Sequence, residues 1–188
     1  FLNLEIFIDG FGGNIFFPDF FLTFGLLFFA KLADSIKGNV AFKYAFGILS
    51  LSFIGHYVPE VMGLGTETVA NVLTSKNTVI MLLIILLGKI LATSISLNFG
   101  FFGGVFSPAI LVGASTGALL SAVLVYMGIF DQFQQALVVS GIAAVAGSVI
   151  GAPICMVVIV LELTNSYTFA LASLVGLAIS VGYVQVRF

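Results

Sequence analysis

From Thr78 to Ser96 the chain carries a single charged residue, Lys89. About 20 apolar residues in a helix cross the hydrocarbon core of a bilayer, so this run is predicted to be a spanning helix. It also fixes the solvent for the rest of the chain. In lipid every backbone N–H and C=O must be satisfied internally, which leaves helices or a closed barrel. Composition agrees, with 61% of residues hydrophobic and 7% charged, against about 25% charged in an ordinary soluble domain. A water-soluble globule of 188 residues could not cover its surface with so few polar groups.

The other apolar segments are shorter and are punctuated by Gly and Pro. Phe20–Ala33 reads as an apolar helix, and Lys31, Lys37 and Lys43 gather around the polar stretch that follows. The positive-inside rule makes that connection cytoplasmic. Tyr44–Tyr57 is too short for a perpendicular crossing and ends at Val58-Pro59, where the residue before proline leaves helical geometry. Gly63 and Gly65 extend the break, and Glu67–Leu73 is one or two helical turns. After Thr78–Ser96 come the glycine-rich turn Asn98–Gly104 and a helix over Phe106–Met127. Asp131 and Gln134 have capping-box spacing and open a helix to about Val149. Gly151 and Pro153 break that helix, and Pro153 suits the first turn of another through Leu163. A last helix spans Phe169–Val186. Residues 1–18, aromatic-rich and interrupted by Gly10, Gly12, Gly13 and Pro18, take no assignment.

The expected fold class is therefore all-α: a polytopic membrane protein with broken, tilted and partial-span helices. Transporters built this way bind their substrates where half-helices meet. Re-entrant packing without a ligand gives the same pattern, because non-helical backbone at membrane depth is either buried or lines a cavity.

Several functions are disfavoured at this stage. A net charge of −2 argues against a nucleic-acid partner, which needs a basic face. With one cysteine (Cys155) and one histidine (His56), no disulfide, zinc site or nucleophilic triad is supported. The expectation is a protein that is neither an enzyme nor dependent on a cofactor. The chain begins at Phe1 and shows no secretory leader pattern, which reads as a fragment or processed piece of something longer.

The chemistry concentrates in Gly103-Gly104-Val105-Phe106-Ser107-Pro108. Glycines permit sharp turns and close approach to a ligand. The helix that follows presents unsatisfied N–H groups and the positive end of its dipole, so an anion is stabilised there without a basic side chain. Between Glu67 and Asp131 there is no acidic residue to repel it, whereas a cation site would supply carboxylates or exposed carbonyls. A glycine–proline helix start used only for packing is the alternative, since Gly113-xxx-Gly117 marks a close-packing face on the same helix.

Five segments carry a family resemblance. Gly103 to Pro108, followed by Ala109-Ile110-Leu111-Val112-Gly113-Ala114-Ser115-Thr116-Gly117, resembles the pattern G-G-x-F-x-P-x-L-x-x-G-A-x-x-G of the CLC chloride channels and chloride/proton exchangers. Gly88-Lys89-Ile90-Leu91-Ala92-Thr93 is similar to the helix that precedes it in that family. Pro59-Glu60-Val61-Met62-Gly63-Leu64-Gly65 resembles P-E-V-x-G-x-G. Ala152-Pro153 and Val160 to Tyr167 resemble the A-P and L-E-x-T-x-x-Y motifs. The matches fall in the right order over roughly residues 44 to 180, which makes them specific together and weak singly.

The resemblance implies an anion transporter in which this chain supplies one wall of the pathway. In the family the N–H groups of the two residues after the second glycine hold chloride; here these are Val105 and Phe106. Gly104, Ser107 and Pro108 complete the anion-binding segment, and Gly100 and Gly103 support the turn. The resemblance also implies chloride as the transported ion, a lipid-embedded homodimer with one pathway per subunit, and a cell-membrane location. Departures exist: Asn98-Phe99-Gly100 stands where the family often has G-S-G, Ile150-Gly151 replaces a basic residue, and a proline is replaced near Ala172. No G-S-G-I-P or G-R-E-G-P motif occurs. In the family these supply a coordinating serine and the gating glutamate, so a missing N-terminal half is expected. Phe188 falls before the family's last helix and its chloride-site tyrosine, a role that Tyr167 and Tyr183 do not take over.

Of four further features, two have two readings each. Lys89, in mid-span, either biases the local field toward anions or serves as a structural cation bonded to carbonyls at a helix end. Glu162 invites a proton-relay role, but capping or an interface is the plainer one. Gly147-xxx-Gly151 reads as a packing face, and His56 as an interfacial residue. The whole is read as a single membrane-embedded region, 1–188, poorly matched to the family over 1–43 and CLC-like over 44–188. Two competing functions stand: a non-transporting structural remnant of a CLC-like protein, and a membrane protein of unrelated function.

Overall fold

Proline and glycine decide where the helices stop. The computed structural model describes residue 31 and residues 40–74, 78–101, 103–126 and 134–185. Helix α1 (Val40–Tyr57) ends before Pro59, and a 3-10 turn follows over Pro59–Val61. Gly65, at φ 71°, precedes the short α2 (Thr66–Leu73). The long α3 (Val79–Asn98) and α4 (Phe106–Tyr126) come next, then α5 (Gln134–Ile150). Pro153 opens α6 (Pro153–Thr164), and Asn165, at φ 48°, caps it before α7 (Tyr167–Gln185).

The described residues thus form helices of unequal length, as the broken-helix pattern requires. At 1.5 Å per residue, α3 with 20 residues and α4 with 21 reach the roughly 30 Å hydrocarbon thickness. Both are apolar enough to cross a membrane. Helix α6, with 12 residues, is a partial span. Its flank leaves Ile154 79% exposed, and α1 leaves Leu49 69% exposed; apolar surface of this extent suits lipid contact rather than water.

Helix α1 has 18 residues and starts four residues before the apolar run that marks it in the sequence. Lysine is a good helix former, so the polar end of the apolar run at Lys43 does not end the helix. The last helix starts at Tyr167 rather than Phe169, because the left-handed Asn165 reverses the chain over a shorter link. Apart from Lys31, which is helical, the helix expected over Phe20–Ala33 lies outside the described residues, as does the expected helix start at Asp131.

The core is built around α4 and α5, the pair in most extensive contact. A Cβ on Gly113 would lie 2.6 Å from the Gly141 carbonyl oxygen, and one on Gly117 equally close to that of Leu137. The two backbones therefore pack with nothing between them, the arrangement small residues allow in membranes. Helix α7 also packs on α5, where Leu177 meets Gly147. Gly151 is not part of that packing face. It has φ 69° and open space around it, so its role is to end α5 in the left-handed conformation.

Candidate functional site

The end of α3 shows how the chain re-enters the protein at the glycine-rich turn. The Phe101 N–H bonds the Ser96 carbonyl at 2.9 Å, and the Gly100 N–H bonds that of Leu97 at 3.4 Å. With Gly100 at φ 87°, this is a Schellman cap, in which a left-handed residue ties off the last carbonyls. Phe99 and Phe101 then pack with Ile95 against Leu51 and Ile54 of α1. The sharp turn is made at Gly100. Gly103 and Gly104 have no positive φ, and a Cβ on either would meet nothing within 4 Å. Their lack of a side chain keeps space open instead of permitting an unusual backbone.

At the start of α4 the Val105 carbonyl accepts the first helical bond, from the Ala109 N–H at 3.1 Å. The N–H groups of Val105, Phe106 and Ser107 have no backbone acceptor among the described residues, as helix geometry requires of a first turn. Pro108 has no N–H to leave unpaired, so it sits in this turn without cost. The Ser107 hydroxyl donates to the Leu64 carbonyl.

Lys89 enters from α3 and is 4% exposed. Its ammonium donates to the carbonyls of Val61 and Gly63, both at 2.8 Å, and no carboxylate pairs with it among the described residues. Gly88 permits this approach, since a Cβ there would come within 2.9 Å of Val61 Cγ2. A buried ammonium needs hydrogen-bonding partners to offset its lost hydration, and two carbonyl dipoles provide them.

These elements surround a cavity of about 280 Å³. Gly103, Gly104, Ser107 and Pro108 form one side, Lys89, Thr93 and Ser96 of α3 another, and Val61–Leu64 a third. Among the described residues, the lining contains no Asp or Glu. Of the residues singled out in the sequence, Gly103, Gly104, Ser107, Pro108 and Lys89 are brought together here. Val105 and Phe106 are not among the lining residues: the Val105 side chain packs on the main core, and that of Phe106 is 41% exposed. Gly100 stands off the wall as the cap of α3. Sequence reasoning missed the Val61–Leu64 loop as a wall of the site. The available signal was Gly63 and Gly65, which take φ 67° and 71° and fold the loop over the cavity.

The family described as voltage gated chloride channel matches residues 13–185 of the chain. An uncharacterized protein of Methanocaldococcus jannaschii is 27% identical over 146 residues, which is 78% of this chain and 35% of that protein. The H(+)/Cl(-) exchange transporter ClcA of Vibrio parahaemolyticus is 28% identical over 144 residues, covering 72% of this chain and 27% of its own length. The voltage-gated ClC-type chloride channel ClcB of Escherichia coli is 28% identical over 134 residues, 71% of this chain and 32% of its own. The chain therefore spans about a third of the length of these curated relatives. No solved structure matches the chain at a significant level.

Proposed function

We infer, for a chain that belongs to the voltage gated chloride channel family, that the protein moves chloride across a membrane and that this chain forms one wall of the anion pathway. The observation that carries this is the cavity at the start of α4: among the described residues its lining holds no carboxylate, and the helix end beside it has N–H groups with no acceptor. An anion held between the cavity and the first turn of α4 exchanges hydration water for fixed N–H dipoles and the positive end of a helix, which need no reorganisation when the ion arrives. Gly104, Val105, Phe106, Ser107 and Pro108 make up the anion-binding segment. The N–H groups of Val105 and Phe106 are the donors, Gly100 turns the chain before them, and Gly103 keeps the approach to them open.

The remaining walls come from parts of the protein outside this chain, and we propose that two subunits assemble in the cell membrane, each with its own pathway. Chloride efflux from liposomes containing the full-length protein, with external pH recorded at once, tests this. Efflux with opposing proton movement assigns exchange, and efflux without it assigns a channel. No chloride movement after confirmed insertion overturns the proposal and favours a structural remnant.

A further inference from the structure

The segment Pro59–Gly65 carries seven backbone carbonyls, and among the described residues all but that of Met62 accept a hydrogen bond. Pro59 takes the Met62 N–H at 3.0 Å, and Gly65 takes that of Val69 at 2.9 Å. Glu60 takes the Thr68 hydroxyl at 3.1 Å. The other three are held by residues of the cavity wall: Lys89 on Val61 and Gly63, and Ser107 on Leu64.

This matters because of what the same loop would be without those donors. Free carbonyl oxygens facing a cavity are the means by which protein backbones hold cations in place of water. They repel an anion by the same partial charge. Val61, Gly63 and Leu64 all line the cavity, and Leu64 adjoins the N-terminal turn of α4 through Ser107. A lysine ammonium has three N–H donors and no acceptor, so engaging two carbonyls leaves one N–H and adds no acceptor to the wall.

We propose that Lys89 and Ser107 are positioning residues that set anion over cation preference by occupying the Val61, Gly63 and Leu64 carbonyls; this rests on the anion-pathway reading above. Ser107 does so from the turn whose N–H groups remain free, so a single hydroxyl silences an acceptor and fastens the loop to the donor end of the helix. The role is separate from that of the Lys89 charge, because Ser107 is neutral.

The test uses full-length protein in liposomes, recording the chloride dependence of efflux together with the ratio of chloride to potassium flux. Both readouts cancel the amount of active protein, which a purely structural defect would change. Ser107→Ala keeps its backbone N–H and alters no charge, and it is expected to raise the half-maximal chloride concentration about tenfold, the scale of one polar group left unpaired, and to lower the flux ratio. Lys89→Met is expected to do more, and Lys89→Arg to recover most of the loss, because a guanidinium also donates to carbonyls and stays charged. Should Lys89→Met fail to insert, Ser107→Ala and Lys89→Arg decide the matter. Wild-type chloride dependence and flux ratio in Ser107→Ala overturn the proposal, even where Lys89→Met is impaired, since charge alone would then be responsible. In that case the wild-type protein still transports chloride. Absence of chloride transport by the wild type is the separate result that removes the underlying reading.

Discussion

Replacing Gly113 or Gly117 with alanine tests the packing on which the site's position depends. A methyl at Gly113 would sit 2.6 Å from the Gly141 carbonyl oxygen and 2.8 Å from Ile142 Cα, and one at Gly117 would sit 2.6 Å and 2.7 Å from Leu137 O and Val138 Cα. Ordinary contact begins near 3.4 Å, and the opposing atoms are helical backbone, which has no rotamer to change. Relief requires α4 and α5 to part. Overpacking of this kind costs about 1–3 kcal/mol, while the helix preference of alanine over glycine returns up to about 1 kcal/mol. With unyielding backbone on the far side the upper end of that cost applies, so each single variant should lose about 2 kcal/mol net, read as a lowered unfolding midpoint of purified protein in mild detergent. Because one separation of the helices relieves both clashes, the double variant should lose less than the two singles combined, the non-additivity of sites sharing a partner. Unchanged midpoints in the single variants would refute the close packing, and full additivity would refute the shared displacement.

Gly100→Val places a β-branched residue at φ 87° with Tyr44 3.3 Å away, and it should lower the melting temperature by an amount corresponding to about 1–3 kcal/mol; an unchanged melting temperature would mean that the Schellman cap is dispensable. At Gly104 an added Cβ meets no described atom within 4 Å, so Gly104→Val should leave melting unaffected while its side chain occupies the cavity and chloride transport falls; unimpaired transport would place the anion elsewhere. Phe106→Pro should weaken chloride dependence more than Phe106→Ala, because proline is tolerated in the first helical position yet deletes a donor; equal effects would make the ring, not the N–H, the determinant.

The spanning helix from Thr78, the breaks at Pro59, Gly100 and Pro153, and the close-packing pair Gly113 and Gly117 were legible in the sequence. Each follows from a local rule: apolar length, the geometry imposed by proline or glycine, or small-residue spacing. Two glycine roles were not legible. Gly103, expected with Gly100 to support the turn, leaves room instead, and Gly151, expected in a packing face, ends a helix. A glycine letter does not say which of its two properties is in use: freedom of φ or absence of a side chain. The cavity wall at Val61–Leu64 was hidden for another reason. Its contacts with Lys89 and Ser107 join residues 26 to 43 apart in the chain, and no periodicity records which backbone carbonyl a distant side chain will reach.

Helix α4 is fixed by two kinds of contact with different consequences. Along its middle, the glycines hold it against α5 by backbone proximity, which determines its depth and tilt but not what its end faces. At its first turn, the Ser107 hydroxyl ties it to Leu64, while Leu111 lies against Gly65, whose Cβ would come within 2.9 Å of it. The second set determines what the free N–H groups look upon. A helix dipole acts only within its last turn and is readily screened, so an anion site made from one requires both: a helix held rigidly at depth, and a facing loop whose own dipoles do not oppose it. Lys89 meets the second requirement from α3, the helix that ends at the Gly100 cap immediately before the turn. The spacing between Lys89 and Gly103 is therefore a structural constraint in its own right. Inserting a residue within the helix between Lys89 and Asn98 would rotate the ammonium off the loop by about 100°, the angle per residue of an α-helix, and would leave the Val61 and Gly63 carbonyls without their donor.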